Sequence, residues 1–152
     1  MKKLKTIQKG FTLIELLVVI AVLGVLAAGV LTAINPLKRI QQANDAKIKN
    51  DIGQIAQAEQ AYFTSSSSQA YVLTTQLLVD NKELKVKPVT PAGLDYQITG
   101  TSADIAVWAQ LTEVGSGGTP TTNGWFCWSS ASSKAGVVTG ATAPSGSSCP
   151  GL

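Results

Sequence analysis

The sequence contains no histidine, which removes His-based catalytic triads, two-His zinc sites and imidazole proton shuttles together. Cysteine is nearly as scarce: Cys127 and Cys149 are the only two, too few for a structural zinc site. Charge is thin as well, at 14% of residues against about 25% in an ordinary soluble domain. Glycine, serine and threonine make up the difference, so the surface must be polar but largely uncharged, a composition suited to an exported or extracellular protein. Walker A, dinucleotide-binding and zinc patterns are absent. With 152 residues the chain has room for one domain of about 100 to 150 residues, which excludes a multi-domain enzyme.

The charge that is present is unevenly placed. The formal net charge of +3 comes from 12 basic and 9 acidic residues. Lys2, Lys3, Lys5 and Lys9 lie in the first ten positions, where there is no acid, and removing them leaves 8 basic against 9 acidic, a net charge of −1. The basic balance therefore belongs to a leader and not to a nucleic-acid surface.

Composition breaks at Gly10. Phe11 to Ile34 is a run of 24 residues with a single charge, Glu15. As a helix it would span about 36 Å, more than the roughly 30 Å hydrocarbon core of a bilayer. Lysines before the run, and no second run after it, predict a single pass with the N-terminus in the cytoplasm and the rest outside. Three readings compete. A cleaved secretory signal would end near Val25-Leu26-Ala27-Ala28, yet apolar residues continue through Val30, Leu31 and Ile34. A plain anchor fits the length but gains nothing from Glu15, since a central carboxylate costs about 2.5 to 3.5 kcal/mol on insertion scales. The third reading takes Lys9-Gly10-Phe11-Thr12-Leu13-Ile14-Glu15 as one unit: a basic leader cut after Gly10, a new amine on Phe11, and a carboxylate one helical turn further on.

Lys9-Gly10-Phe11-Thr12-Leu13-Ile14-Glu15-Leu16-Leu17-Val18-Val19-Ile20 resembles the class III signal of type IV pilins and of the related pseudopilins of type II secretion and DNA-uptake systems. The resemblance implies that a membrane aspartyl protease, the prepilin peptidase, cuts between Gly10 and Phe11 and methylates the Phe11 amine. It also implies that Glu15 acts in assembly, pairing with the Phe11 cation of a neighbouring subunit in the apolar filament core. The alternative for Glu15 is an interfacial residue reaching the headgroups. The expected partners are further copies of the chain in a helical filament, the prepilin peptidase, the pilus or secretion assembly machinery, and the membrane that stores the subunit. After assembly the protein would lie in an extracellular filament or pseudopilus.

Pro36 disfavours helical geometry at Asn35 and stands where the apolar run gives way to Lys38 and Arg39, so the helix is expected to kink or open there. Beyond it Ile40, Ile48, Ile52, Ile55, Tyr62 and Phe63 recur at helical spacings among polar residues, an amphipathic stripe made to pack on a sheet. Thr64 to Ser68 end that helix, a small helix is expected within Gln76 to Leu84, and Pro88, Pro91 and Gly93 form a turn-rich lead. Leu94 to Thr99, Asp104 to Thr112, Trp125 to Ser129 and Ala135 to Thr139 read as strands of an antiparallel meander. The fold class is therefore α+β and pilin-like: a long N-terminal helix whose apolar half protrudes and whose amphipathic half packs on a four-stranded sheet. The expected parts are a leader (1–10), a membrane and filament-core helix (11–37) and a head (38–152). Tyr96, Ile98, Trp108, Trp125, Phe126 and Trp128 are the aromatic and apolar candidates for a single core, with Trp125 and Phe126 on opposite faces and a sugar- or base-stacking site as the sharper alternative.

Cys127 and Cys149 both fall where the topology places them outside the cytoplasm, and a disulfide between them would close the Gly/Ser/Thr-rich tail onto a strand. Disulfide-bounded C-terminal loops in type IV pilins point the same way. No catalytic residue, cofactor or metal is expected. Ser132, Ser133 and Lys134 make a chance Ser-Lys proximity in a serine-rich chain, and Asp95 and Asp104 lack the dense Asp/Asn pattern of a calcium loop. Lys82, Lys85 and Lys87, partly offset by Asp80 and Glu83, form the head's basic cluster, a solvated face with weak DNA contact as the alternative. The leading expectation is a structural filament subunit. The alternatives are a pseudopilin or minor pilin of a type II secretion or DNA-uptake system, and a membrane-anchored extracytoplasmic binding domain.

Overall fold

The computed structural model of the chain describes residues 10–112, 124–140 and 142–152. The leader expected at 1–10 lies outside them except for Gly10. The chain divides into two compact units between Leu37 and Lys38.

The first unit is built on α1 (Leu13–Ile34). Its residues carry apolar side chains all round, and Leu13–Leu31 is long and apolar enough to cross a membrane. Thr12 caps its N-terminus in the extended conformation. At the other end Asn35 takes the left-handed conformation (φ 44°, ψ 76°) and ends the helix. The sterics of the following Pro36 exclude the helical region at this position, and asparagine tolerates the left-handed one. Pro36 then opens α2 (Pro36–Ser65), where its missing N–H costs no helical hydrogen bond.

The second unit is an α+β head. α2 is followed by α3 (Thr75–Asp80) and by four strands, β1 (Gln97–Gly100), β2 (Ile105–Gln110), β3 (Gly124–Ser129) and β4 (Lys134–Thr139). They pair antiparallel in the order β1-β2-β3-β4, the expected meander. Ile98 stands opposite Val107, Val107 opposite Trp128, and Trp128 opposite Ala135. Because side chains alternate across a strand, this register places Ile98, Val107, Phe126 and Trp128 on the face that meets α2. At the β1–β2 turn Gly100 sits at φ 135°, and a Cβ there would strike the Asp104 carbonyl; only glycine fits.

The main core joins Ile48, Ile52 and Ile55 of α2 to Ile105, Val107 and Trp128 of the sheet, with Leu78 of α3 and Tyr96. The three isoleucines are 0–1% exposed, each stabilising the head by about 1.5–3 kcal/mol relative to exposure. Ile40, expected in the same stripe, is 57% exposed, because α2 first meets the rest of the head further on, at Gln41 and Asp45. Tyr62 and Phe63 are only partly buried. The stripe is completed by Ala56, Ala58 and Glu59.

The sheet's other face carries a second cluster of Ala106, Cys127, Val138 and Cys149, with Trp108 packed against it. The expectation of a single core is thus corrected: with Trp125 and Phe126 on opposite faces, Trp108 and Trp125 lie on the side that the second cluster occupies. Both point away from α2, and their rings cross edge to face at 5.1 Å. What covers this face is the C-terminal segment. Thr99 Oγ1 donates to the Gly146 carbonyl at 2.7 Å and Ser129 Oγ to the Ser147 carbonyl at 2.9 Å. Cys127 is disulfide-bonded to Cys149 with a Cα–Cα separation of 5.9 Å. A Cβ on Gly136 would come within 2.7 Å of Leu152 Cδ2, so the bare backbone of β4 makes room for that side chain.

The disulfide ties a segment with little apolar surface of its own to the sheet. Its reduction should lower the unfolding free energy of the head by about 3 kcal/mol, measured as the shift of the urea midpoint. An unchanged midpoint after complete reduction would show that the hydrogen bonds to Thr99 and Ser129 suffice.

Candidate assembly site at the N-terminus of the apolar helix

The residues expected to carry function lie where α1 begins. Gly10 and Phe11 precede the helix and are exposed, Phe11 to 85%. A glycine before the scissile bond lets a protease approach the backbone closely, since no Cβ stands in the way. Nothing lies within 4 Å of a Cβ built on Gly10, so the chain itself does not require glycine there.

Glu15 is held by a reciprocal cap. The Glu15 amide donates to Thr12 Oγ1 at 3.3 Å, and Glu15 Oε2 accepts from the Thr12 amide at 3.2 Å and the Thr12 hydroxyl at 3.0 Å. Together these form a capping box that satisfies two of the donors a helix start leaves unpaired. It also places a carboxylate against the positive end of the helix dipole. The role was legible in the sequence: Thr12-x-x-Glu15 before an apolar run is the box's signature, overlooked beside the resemblance that gives Glu15 to assembly. Among the described residues the hydrogen bonds to the carboxylate all fall on Oε2, and Oε1 accepts none.

The remaining candidates are dispersed and engaged locally. Asp95 pairs with Lys87 at 2.7 Å, while Asp104 Oδ1 accepts from Ser130 Oγ at 3.3 Å. The two carboxylates expected as a calcium alternative therefore serve separate turns, and the described residues hold no group of three or more metal-ligating side chains. Ser133 occupies a left-handed turn position (φ 52°) and donates to the Ser130 carbonyl at 3.4 Å. A cleft of about 550 Å³ runs between Thr90–Gln97 and the Trp108–Trp125 pair. Much of its polar lining is committed elsewhere: Trp108 Nε1 donates to Thr99 Oγ1 at 3.2 Å, Asp95 pairs with Lys87 at 2.7 Å, and Thr112 is bonded to Asp45 at 2.6 Å.

Replacing Thr12 with Ala should fray the first turn of α1 at a cost of about 1 kcal/mol. Hydrogen exchange at residues 13–15 in detergent micelles would report it as a several-fold loss of protection. Unchanged exchange would mean that the surrounding apolar phase, and not the cap, fixes the helix start.

No curated protein and no solved structure matches the chain. The family described as "Prokaryotic N-terminal methylation motif" matches residues 5–31, which take in Gly10, Phe11, the capping box and nearly all of α1. With its apolar helix, following helix and four-stranded antiparallel sheet, the α+β arrangement is pilin-like, and the chain carries the class III signal of type IV pilins and pseudopilins.

Proposed function

We propose that this chain is the structural subunit of a type IV pilus or pilus-like filament, without enzymatic activity of its own. It is held in the membrane through α1, cut by prepilin peptidase after Gly10, methylated on Phe11, and polymerised by stacking its apolar helix against those of other copies. The parts are then a leader (1–10), a membrane and filament-core helix (11–37) and an exported head (38–152). The observation that carries this reading is the continuity of the methylation motif at 5–31 with a helix whose apolar side chains are exposed along its whole described length.

The chemistry of the junction supports it. Cleavage would leave a cation on Phe11, methylated or not, at the positive end of the α1 dipole, where a cation is unfavourable. Glu15 offsets that within the chain through Oε2. Its Oε1 is available to the Phe11 amine of the next subunit, and in an apolar bundle such a pair sets axial register. A subunit that leaves the bilayer exchanges lipid for other apolar helices, so assembly need not pass the run through water.

Two substitutions test this. Gly10 replaced by Trp should leave the leader attached and abolish filaments. Glu15→Val should permit cleavage, since it lies beyond the scissile bond, but the unpaired amine would oppose polymerisation by about 3–5 kcal/mol per contact. Processed monomer should then accumulate in the membrane while electron microscopy shows no surface filaments. Wild-type filament yield from Glu15→Val in the absence of wild-type subunit would refute the pairing, and filaments from an uncleaved Gly10→Trp chain would refute the processing.

A further inference from the structure

Three acidic residues of α2 are buried in the head: Asp45, Asp51 and Glu59. The first two each accept two hydrogen bonds. Asp45 Oδ1 accepts from the Thr112 amide at 2.7 Å and hydroxyl at 2.6 Å. Asp51 Oδ2 accepts from Tyr96 Oη at 2.7 Å and pairs with Lys47 at 2.6 Å. Glu59 is different. It is 0% exposed, its Oε2 accepts one bond, from the Val72 amide at 3.2 Å, and its Oε1 has no hydrogen-bond partner. No cation forms an ion pair with it among the described residues.

The segment bonded to Glu59, residues 69–73, closes one end of the head. Tyr71 stacks on Phe63 of α2 with ring centroids 4.6 Å apart. Its amide donates to the Ser102 carbonyl at 2.9 Å, on the β1–β2 turn, and its hydroxyl lies close enough to Ser130 on the β3–β4 turn to feel that side chain. Among the described residues, the titratable groups tied to this region are Tyr71 from the segment, Asp104 from the β1–β2 turn, and Glu83, which accepts from Ser65 Oγ at the end of α2; Lys85 lines a groove with Ala58 and Ala61 of α2 and forms no ion pair with Glu59. Asp104 and Glu83 are acids, and the Tyr71 hydroxyl is raised chiefly by burial, against the pull of the Ser130 side chain, which keeps it neutral. None of the three can compensate a negative charge on Glu59.

We propose that Glu59 is a proton-operated latch: its neutral carboxyl keeps residues 69–73 closed over the end of α2, and its ionisation releases that segment and loosens this end of the head. A buried carboxylate with an unsatisfied oxygen and no cation is costly, and opening the segment admits the water that would solvate it. Burial pushes the Glu59 carboxyl from 4.5 up to about 7, with the Val72 amide bond pulling weakly the other way. A carboxyl that holds its proton more tightly in the folded head than in the unfolded chain contributes stability that is fully present below about pH 4.5. That contribution is lost as the pH rises through about 7.

The test is hydrogen exchange on the full chain in detergent micelles, corrected for the intrinsic pH dependence of exchange. Between pH 5.5 and pH 8 the protection of residues 69–73 should fall about tenfold, while in Glu59→Gln it should stay level. The carboxyl carbon shift of Glu59, followed by NMR in the wild-type chain, provides a readout that does not depend on the variant folding; its midpoint should lie well above the ordinary carboxylate range. Level protection in the wild type, an equal fall in Glu59→Gln, or an ordinary Glu59 midpoint would each overturn the latch.

Discussion

A helix that is apolar on every side has no face to turn toward water and none to reserve for its own head. From Leu13 to Leu31 the side chains of α1 are exposed, a surface suited to lipid or to other apolar helices and not to water. Several features of the chain are consistent with that constraint. The few charges are kept out of the run except for Glu15, which is hydrogen-bonded in a capping box and set at the very start of the helix. The break at Asn35 and Pro36 ends the all-apolar pattern before the first cations of α2.

The head solves a different problem with different means. Its helix α2 is rich in Gln, Asn, Asp and Lys, and its apolar stripe is narrow. Carboxylates complement it: Asp45 secures the end of β2 through Thr112, and Asp51 secures the entry to β1 through Tyr96. Glu59 fastens the connection that follows α2. Each replaces apolar contact with hydrogen bonds to another part of the chain, charge-assisted for Asp45 and Asp51, which suits a domain with few large apolar residues but makes it sensitive to the protonation state of Glu59, whose buried Oε1 has no partner among the described residues. The second face of the sheet is closed by the C-terminal segment through the disulfide and two hydroxyl-to-carbonyl bonds.

Much of this was readable from residues alone, and the exceptions have physical causes. The junction at Gly10, the apolar run, the punctuation at Pro36 and the cysteine pair are local patterns with few alternatives. The strands were legible as alternation, and their order as short connections; six of their eight ends shifted by one to three residues, because ladder pairing and not side-chain type decides where a strand stops. Alternation puts Trp125 and Phe126 on opposite faces of the sheet without saying which one a helix covers or that the other carries a cluster of its own, and so all six residues were expected in a single core. The buried acids escaped for a related reason. An Asp or Glu in a helix reads as solvated, and only the fold brings Thr112, Tyr96 or Val72 within its reach. Ile40 shows the converse: its spacing fits the stripe, but it lies before α2 meets the rest of the head.

The central claim is that the apolar helix, freed of its leader, joins copies of this chain into a filament. The most direct measurement is the intact mass and N-terminal sequence of the protein in filaments sheared from the cell surface. The account predicts a chain that begins at Phe11, carries one added methyl group there, and is two protons lighter than its reduced form through Cys127 and Cys149. A filament-free surface, or a chain that retains Met1 and the lysines before Gly10, would contradict it.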